Sequence, residues 1–279
     1  MNKIDHLVLA GHDLGAMRAT YGALGFTLCP AARHPFGTAN TAIQLEGNYL
    51  ELLSLAAPEQ VPEHGPARFS FAAFNRDYLA RHDGFSMLAL GTQDADANIA
   101  RWRAAGLRTY ERFDFSRPAK TAGGEDVTVG FSLAFASSPA APWLGTFACQ
   151  HFSPGYFAQA EYQRHANTAR GVADVWMSGA DAEELAGYFE TLAGAAAERL
   201  ADRIEIRTAA GTIVLASPET FRSAFGVAPP HPEDGPHLAG LTVACRDLTF
   251  FGGLGLMEVG DRLVLPPDRC CGTALAFMA

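Results

Sequence analysis

The stretch of sequence that decides the fold is IDHLVLAGHDL, residues 4–14. It begins with a short apolar run that is typical of a strand, and it continues into a loop with Asp13, a residue type that commonly caps a helix. Residues 14–24 suit a helix, and Gly25 suits its end because glycine adopts the left-handed conformation without strain. The stretch therefore predicts a strand followed by a helix.

The same outline of apolar run, loop and helix-compatible segment recurs further along the chain. The later copies begin near residues 85, 172 and 238. In the second copy Asp94 and Gly106 flank the predicted helix, and in the third Asp181 and Glu184 form a capping box. The fourth copy has FFGG at 250–253 where a helix is expected, so that helix is predicted to be short or missing.

Further strand-like runs follow each predicted helix, such as residues 41–45 and 49–53 in the first copy. The predicted unit is therefore one strand, one helix and three more strands (βαβββ), and four such units make an α+β fold. Connectors rich in proline or polar residues are expected at 58–66, 153–169 and 228–236.

The composition narrows the class of protein. Of 279 residues, 48% are hydrophobic and 18% are charged, which excludes a disordered chain. A net charge of −9 argues against binding to nucleic acid or to anionic lipid. No apolar run is long enough to span a membrane, and the first residues lack the features of a signal peptide. The five cysteines include no Cys-x-x-Cys pair, so we expect reduced thiols and a cytoplasmic protein.

The first unit resembles the vicinal oxygen chelate superfamily. The resemblance lies in the opening strand at residues 4–9, in Asp13-Leu14 before the helix and in LGF at 24–26 after it. GTAN at 37–40, followed by YLELL at 49–53, is similar to the glyoxalase-like branch of that superfamily. The resemblance implies that units pair into curved open sheets, each pair forming a cup that holds a divalent metal.

The family's ligand positions lie in the first and last strands of each unit, and the resemblance places His6 and Glu51 there. A carboxylate within an apolar strand is costly unless a cation or a hydrogen-bond donor compensates its charge. The alternative is a core histidine with satisfied hydrogen bonds and an edge strand that leaves Glu51 in water. The presence of both residues favours the metal site.

The second unit supplies fewer ligands. Aligning Gly91 with Gly11 puts Ser86 at the position of His6, and serine is a poor ligand for divalent metals. In the last strand of this unit the candidate ligand is His151, with Gln150 on the opposite face as the alternative. The alternative interpretation of His151 is a hydrogen-bonding residue at a loop entrance.

His6, Glu51 and His151 would form a two-histidine, one-carboxylate set, which suits zinc, iron, manganese or nickel. The third and fourth copies carry Asp174 and Gly240 at the place of His6. We therefore expect the N-terminal pair of units, residues 1–169, to carry the site. The C-terminal pair, residues 170–279, is expected to be a degenerate pair without metal.

Other residues are predicted to surround the metal. Four of them are candidates for substrate binding: His34, Asn40, Tyr49 and Phe147. Glu51 and His165 are candidate catalytic residues, because a carboxylate ligand and an imidazole near neutral pH can each carry a proton. The alternative interpretation of His34 and His165 is that both are solvated loop residues.

The resemblance implies an enzyme that uses a divalent metal to act on a small oxygenated molecule, with aromatic residues near the ligands suggesting an aromatic substrate part. Lyase, isomerase and dioxygenase chemistry are all compatible with such a site. The alternatives are a metal-free protein that binds or sequesters a small molecule, and a fold kept for assembly alone. A homodimer is compatible with the same resemblance.

Overall fold

The computed structural model of the protein describes residues 2–179 and 182–279 and contains two open β-sheets. None of the helices in these residues is long and apolar enough to cross a membrane. The strands of the first sheet are β1 (Lys3–Ala10), β2 (Ala32–Arg33), β3 (Thr38–Gln44), β4 (Tyr49–Leu55), β5 (Gly84–Gly91), β6 (Arg108–Thr109), β7 (Phe113–Lys120), β8 (Asp126–Ser137) and β9 (Gly145–His151). Those of the second sheet are β10 (Ala169–Ser178), β11 (Ala197–Arg199), β12 (Arg203–Arg207), β13 (Thr212–Ala216), β14 (His237–Cys245), β15 (Met257–Val259), β16 (Arg262–Leu265) and β17 (Ala274–Met278). The helices are α1 (Leu14–Ala23), α2 (Phe71–Leu79), α3 (Ala95–Ala104), α4 (Ala182–Ala193) and α5 (Pro218–Phe225).

The predicted α+β fold of paired βαβββ units is confirmed. The first sheet has the order β2-β3-β4-β1-β5-β9-β8-β6, with β7 paired to β8, and the second has the order β11-β12-β13-β10-β14-β17-β16-β15. In the fourth unit a single 3₁₀ turn, Thr249–Phe251, stands where the other units have a helix. The division into a site-bearing half and a degenerate half stays a prediction.

The predicted caps of the first two unit helices are present. The Asp13 carboxylate accepts a hydrogen bond from the backbone of Ala16 at the start of α1, and Asp94 does the same for α3. Gly25 and Gly106 follow these helices with positive φ angles of 84° and 85°. In the third unit Asp181, half of the predicted capping box, lies outside the described residues.

Two units meet in each sheet through their first strands. At the centre of the first sheet β1 runs antiparallel to β5, with His6 opposite Ala89 and Val8 opposite Met87. The two units are therefore related by an approximate two-fold axis, and this relation makes Met87 of the second unit equivalent to His6 of the first. The sequence alignment, which matched His6 with Ser86, is one residue off, because it was anchored on Gly91 and Gly11, whereas in the sheet Gly91 is equivalent to Ala10.

The same exchange identifies the counterpart of Glu51. In the first unit Val8 lies beside Glu51 of β4, and in the second unit Ala89 lies beside Phe147 of β9. Since Val8 and Ala89 are equivalent, Glu51 and Phe147 are equivalent too. The two ligand positions of the second unit therefore carry apolar side chains.

Two connecting helices decide how much room each cup keeps. In the second sheet α5 buries Phe221 and Phe225 completely, and both rings pack edge-on against Trp176. In the first sheet α2 contributes Phe71 and Phe74 to an apolar cluster that covers only part of the cup. A separate core of buried side chains joins both sheets with α1, α3 and α4. The first cup therefore keeps a cavity beside β1 and β4.

Candidate metal and substrate site

The cavity in the first cup is small and mostly aromatic. Its volume is about 30 Å³, which is enough for an ion and one or two water molecules. Six phenylalanines line it: Phe36, Phe71, Phe115, Phe131, Phe147 and Phe157. Its polar lining includes His6, His34, Asn40, Glu51 and Arg117. The cavity therefore combines an apolar lining with a few polar side chains, as ligand pockets commonly do.

Glu51 lies on β4, and its side chain is buried in this cavity. The Asn40 amide donates a hydrogen bond of 2.5 Å to Oε1 of Glu51. His6 Nε2 lies 3.6 Å from Oε2, and His34 Nε2 lies 3.8 Å from Oε1. Both imidazole distances exceed the length of a hydrogen bond, so the two nitrogens face the carboxylate without bonding to it.

The other ring nitrogen of His6 is held by Asp5. His6 Nδ1 lies 2.8 Å from Asp5 Oδ2, and the ring stacks on Tyr49 at 4.4 Å and meets the edge of Phe147 at 5.3 Å. Burial raises the pKa of Asp5, but hydrogen bonds from His151 and His6 outweigh it and hold the pKa well below its usual range. The contact of Nδ1 with the Asp5 carboxylate orients the His6 ring so that its Nε2 faces Glu51.

His34 has a comparable arrangement. Its Nδ1 lies 2.8 Å from the Thr38 hydroxyl, and its ring stacks on Phe36 at 4.9 Å. Burial, followed by the charges of Arg117 and His6, lowers the pKa of His34 to about 3. His34 is therefore neutral at pH 7, which is the form of imidazole that binds metals.

His151 lies at the opposite edge of the His6 ring from Glu51. Its Nε2 lies 2.8 Å from Asp5 Oδ2, the same oxygen that His6 contacts, and its Nδ1 is buried without a partner in the described structure. The His6 ring thus lies between the two other predicted ligands. Its Nε2 faces Glu51, and its Nδ1 contacts the Asp5 oxygen that His151 also contacts.

A second group of potential ligand atoms surrounds Asp5. Atoms of Asp5, His6, Cys149 and His151 all lie within 4.8 Å of one another. Burial, together with the charges of Asp5 and Glu51, raises the pKa of the Cys149 thiol well above its usual value, so this thiol is protonated. Gln150, the alternative third ligand, instead accepts a hydrogen bond from the backbone of Ala95 at the start of α3.

The structure places His165 outside the cavity, against the expectation of a proton carrier at its mouth. His165 Nδ1 accepts a hydrogen bond from the backbone of Thr27 at 3.0 Å, and Nε2 donates to the Gln44 carbonyl at 2.8 Å. Both nitrogens thus join backbone segments. Among the predicted substrate-binding residues, the cavity lining includes all four: His34, Asn40, Tyr49 and Phe147.

Two residues of the site were missed by sequence analysis. Arg117 of β7 lines the cavity and is only 5% exposed. The alternation of Phe113, Phe115 and Arg117 along one face of a strand was a usable signal for it. Asp5 follows an apolar residue and precedes His6, and nothing in this spacing indicates that it would support the histidine ring.

Three solved structures that share this fold are distant from the chain in sequence. A hypothetical protein from Staphylococcus aureus has a TM-score of 0.73 at 14% identity, covering 99% of both chains. A mutant of 4-hydroxymandelate synthase from Streptomyces coelicolor has a TM-score of 0.56 at 16% identity, covering 96% of this chain and 78% of the other. The Mn(II)-bound glyoxalase from Novosphingobium aromaticivorans has a TM-score of 0.55 at 10% identity, covering 99% and 82%. At these identities the likeness shows the fold alone.

No curated protein matches the chain in sequence. The family description that does match is the glyoxalase-like domain, over residues 4–193. This range includes the first sheet from the second residue of β1 onwards and continues to the end of α4. The chain therefore belongs to the glyoxalase-like domain family, as the motifs of its first unit predicted.

Proposed function

We propose that the protein is a divalent-metal-dependent enzyme that acts on a small oxygenated molecule with an aromatic part. The observation that carries the proposal is the buried Glu51 carboxylate, which faces Nε2 of both His6 and His34. A buried carboxylate with a single direct hydrogen-bond donor needs further compensation, and a cation between the three side chains would provide it.

The donor atoms around Glu51 have part of the spacing of a metal site and its outer contacts. With bonds of 2.0–2.2 Å, neighbouring ligand atoms around one ion are separated by about 3–3.6 Å. His6 Nε2 lies 3.6 Å from Oε2 and His34 Nε2 lies 3.8 Å from Oε1. Among the described residues, the group whose donor atoms all lie within 4.8 Å of one another is the one around Asp5, so His6 and His34 must move closer together to share an ion at Glu51. The Nδ1 atoms contact Asp5 and Thr38, the kind of outer contact that orients metal-binding histidines.

This assignment keeps His6 and Glu51 as ligands and uses His34, not His151, as the third. His34 faces the same carboxylate as His6 Nε2, whereas His151 contacts Asp5 on the other side of the ring. Zinc, iron, manganese and nickel all accept such a donor set. Ligation by His151 stays a prediction that the same experiment tests.

The side chains of the cavity suit the handling of a polarised substrate. A bound divalent ion would polarise a substrate carbonyl or hydroxyl group. Glu51 is then placed to accept a proton from the neighbouring carbon, with Asn40 holding Oε1 in position. The aromatic lining would exclude water from this transfer. Proton transfer by Glu51 favours isomerase or lyase chemistry, and the two-histidine, one-carboxylate set also suits dioxygenase chemistry.

A metal-free binding protein is the second candidate, and one observation favours it. The positions equivalent to His6 and Glu51 in the second unit carry Met87 and Phe147, so that unit offers no ligand there. Sequestration of an apolar molecule would require no metal at all.

Metal content separates these candidates and identifies the third ligand. We expect about one manganese per chain, measured by elemental analysis after incubation with Mn(II) and desalting. His34→Ala should lose most of this metal because a donor atom at Glu51 is removed. His151→Ala should retain it, because its contact is with Asp5.

If His151→Ala loses the metal and His34→Ala retains it, the metal site is the group around Asp5 instead. A wild-type protein that retains no divalent metal under these conditions would favour the metal-free binding protein.

A further inference from the structure

Arg117 is a buried arginine that forms no salt bridge with the residues that the structure describes. Its side chain enters the cavity from β7, and the residue is 5% exposed. Its Nε has no hydrogen-bond partner in the described structure, and Nη1 makes one long contact of 3.4 Å with the Pro118 carbonyl. Glu51 is the single carboxylate in the cavity lining, and no salt bridge joins it to Arg117 among the residues described.

Arginine cannot avoid the cost of burying its charge by losing its proton, because its side chain stays protonated in proteins. Apart from Glu51, the titratable groups near Arg117 supply no negative charge: burial raises the pKa of Cys29 to about 12, and it raises the pKa of Tyr49 and of Tyr156, whose hydroxyl lies within reach of the Arg117 side chain, above their usual values. A buried charge without a partner is destabilising, so its presence in a cavity needs a reason beyond folding.

We infer that Arg117 binds a carboxylate of the substrate, which makes the substrate class an aromatic carboxylic acid. A guanidinium group can hold a carboxylate through two parallel hydrogen bonds, and the phenylalanine rings around it suit an aromatic ring. The inference rests on the proposed function for the reaction at Glu51. Arg117 comes from β7, whereas the donor atoms at Glu51 belong to residues of β1, β4 and the segment between β2 and β3. The carboxylate contact is therefore separable from metal binding.

The inference requires some opening of the cavity. Its volume of about 30 Å³ is too small for an aromatic acid, so the rings around it must move when the ligand enters. Phe115 lies two residues before Arg117 on β7, and β7 pairs with β8 alone. The strand that carries Arg117 is therefore held on one side, which leaves it freer to move than a strand paired on both sides.

Phenylglyoxylate and phenylglyoxylamide test the inference, because they share the ring and the vicinal oxygens and differ in charge. Calorimetric titration should show the acid binding about 10- to 100-fold more tightly than the amide, the range expected for hydrogen bonds to charged groups. Arg117→Gln should abolish this ratio by weakening the acid alone. Arg112→Gln should keep it, because Arg112 is exposed and paired with Asp114 on the same strand.

Repeating the titration after EDTA treatment separates this inference from the proposed function. A preference for the acid that persists without metal and depends on Arg117 supports the carboxylate site, even if no metal is ever found. A preference that needs Mn(II), or that survives in Arg117→Gln, would overturn it. Failure of the acid to bind wild-type protein at millimolar concentration would overturn it as well.

Thermal unfolding of the ligand-free protein provides a second readout. Arg117→Met keeps an unbranched side chain as far as about the position of Nε and removes the charged end, so the melting temperature should stay the same or rise. If Arg117 were instead the structural counter-charge of Glu51, this variant would lower the melting temperature, and the assignment to a substrate carboxylate would be wrong.

Discussion

His6→Ala is expected to abolish stoichiometric binding of divalent metal while leaving the fold intact. The substitution removes the Nε2 donor that faces Glu51, and it also removes the ring that Asp5 holds in position. We expect the affinity for Mn(II) to fall by at least about 100-fold, beyond the 10- to 100-fold typical of losing an outer contact. Titration calorimetry with Mn(II) measures the change.

His12→Ala is the matched control. His12 pairs with Asp83, so it is also a histidine beside a carboxylate, but its side chain is 66% exposed. This variant should bind Mn(II) as the wild type does. Circular dichroism should confirm that both variants are folded. A His6→Ala protein that binds Mn(II) as tightly as the wild type would remove the metal from this cavity.

Much of the architecture was predictable because it depends on local sequence. The strand, loop and helix outline recurs with capping residues such as Asp13 and Asp94, and those side chains make the expected contacts with the backbone. Glycines after the helices mark their ends for an equally local reason. The missing helix of the fourth unit was visible as FFGG at 250–253.

The connecting helices were missed although they carry local signals. Ser70 caps α2, and Ser217 caps α5, which ends at Gly226 in the left-handed conformation. Both lie between repeats, α2 after the predicted connector at 58–66 and α5 before the one at 228–236, in stretches to which the repeated outline assigns no element. Their importance is a matter of packing: α5 fills the second cup with Phe221 and Phe225, and no periodicity indicates that these rings would occupy a pocket.

The types of residue at the site were predictable, but the contacts between their side chains were not. Strand alternation and the family resemblance pointed to His6 and Glu51, which lie 3.6 Å apart. The pairing of His6 with Asp5, the placement of His151 behind it and the burial of Arg117 depend on how strands distant in sequence meet. The alignment of Gly91 with Gly11 was one residue off for the same reason, because the pairing of β1, β4, β5 and β9 decides that Gly91 is equivalent to Ala10.

Glu51→Gln is expected to weaken metal binding without weakening the fold. Glutamine keeps the shape of the side chain and can still accept the Asn40 hydrogen bond, but it removes the anionic donor. We expect Mn(II) affinity to fall by about 10- to 100-fold. In the metal-free protein the free energy of unfolding should be unchanged or raised by up to about 2 kcal/mol. The reason is that the variant no longer buries a charge that has one direct hydrogen-bond donor.

Glu205→Gln is the matched control, because Glu205 is also a buried glutamate on a strand. Its carboxylate contacts Arg203 at 2.8 Å and Arg207 at 3.0 Å in the second sheet. Loss of these ion pairs should lower the free energy of unfolding and leave Mn(II) binding unchanged. Denaturant unfolding with and without EDTA compares the two variants. A carboxylate that binds a cation should lower the stability of the protein when the cation is absent. If Glu51→Gln instead destabilises the metal-free protein as much as Glu205→Gln does, Glu51 is a structural ion-pair partner and not a metal ligand.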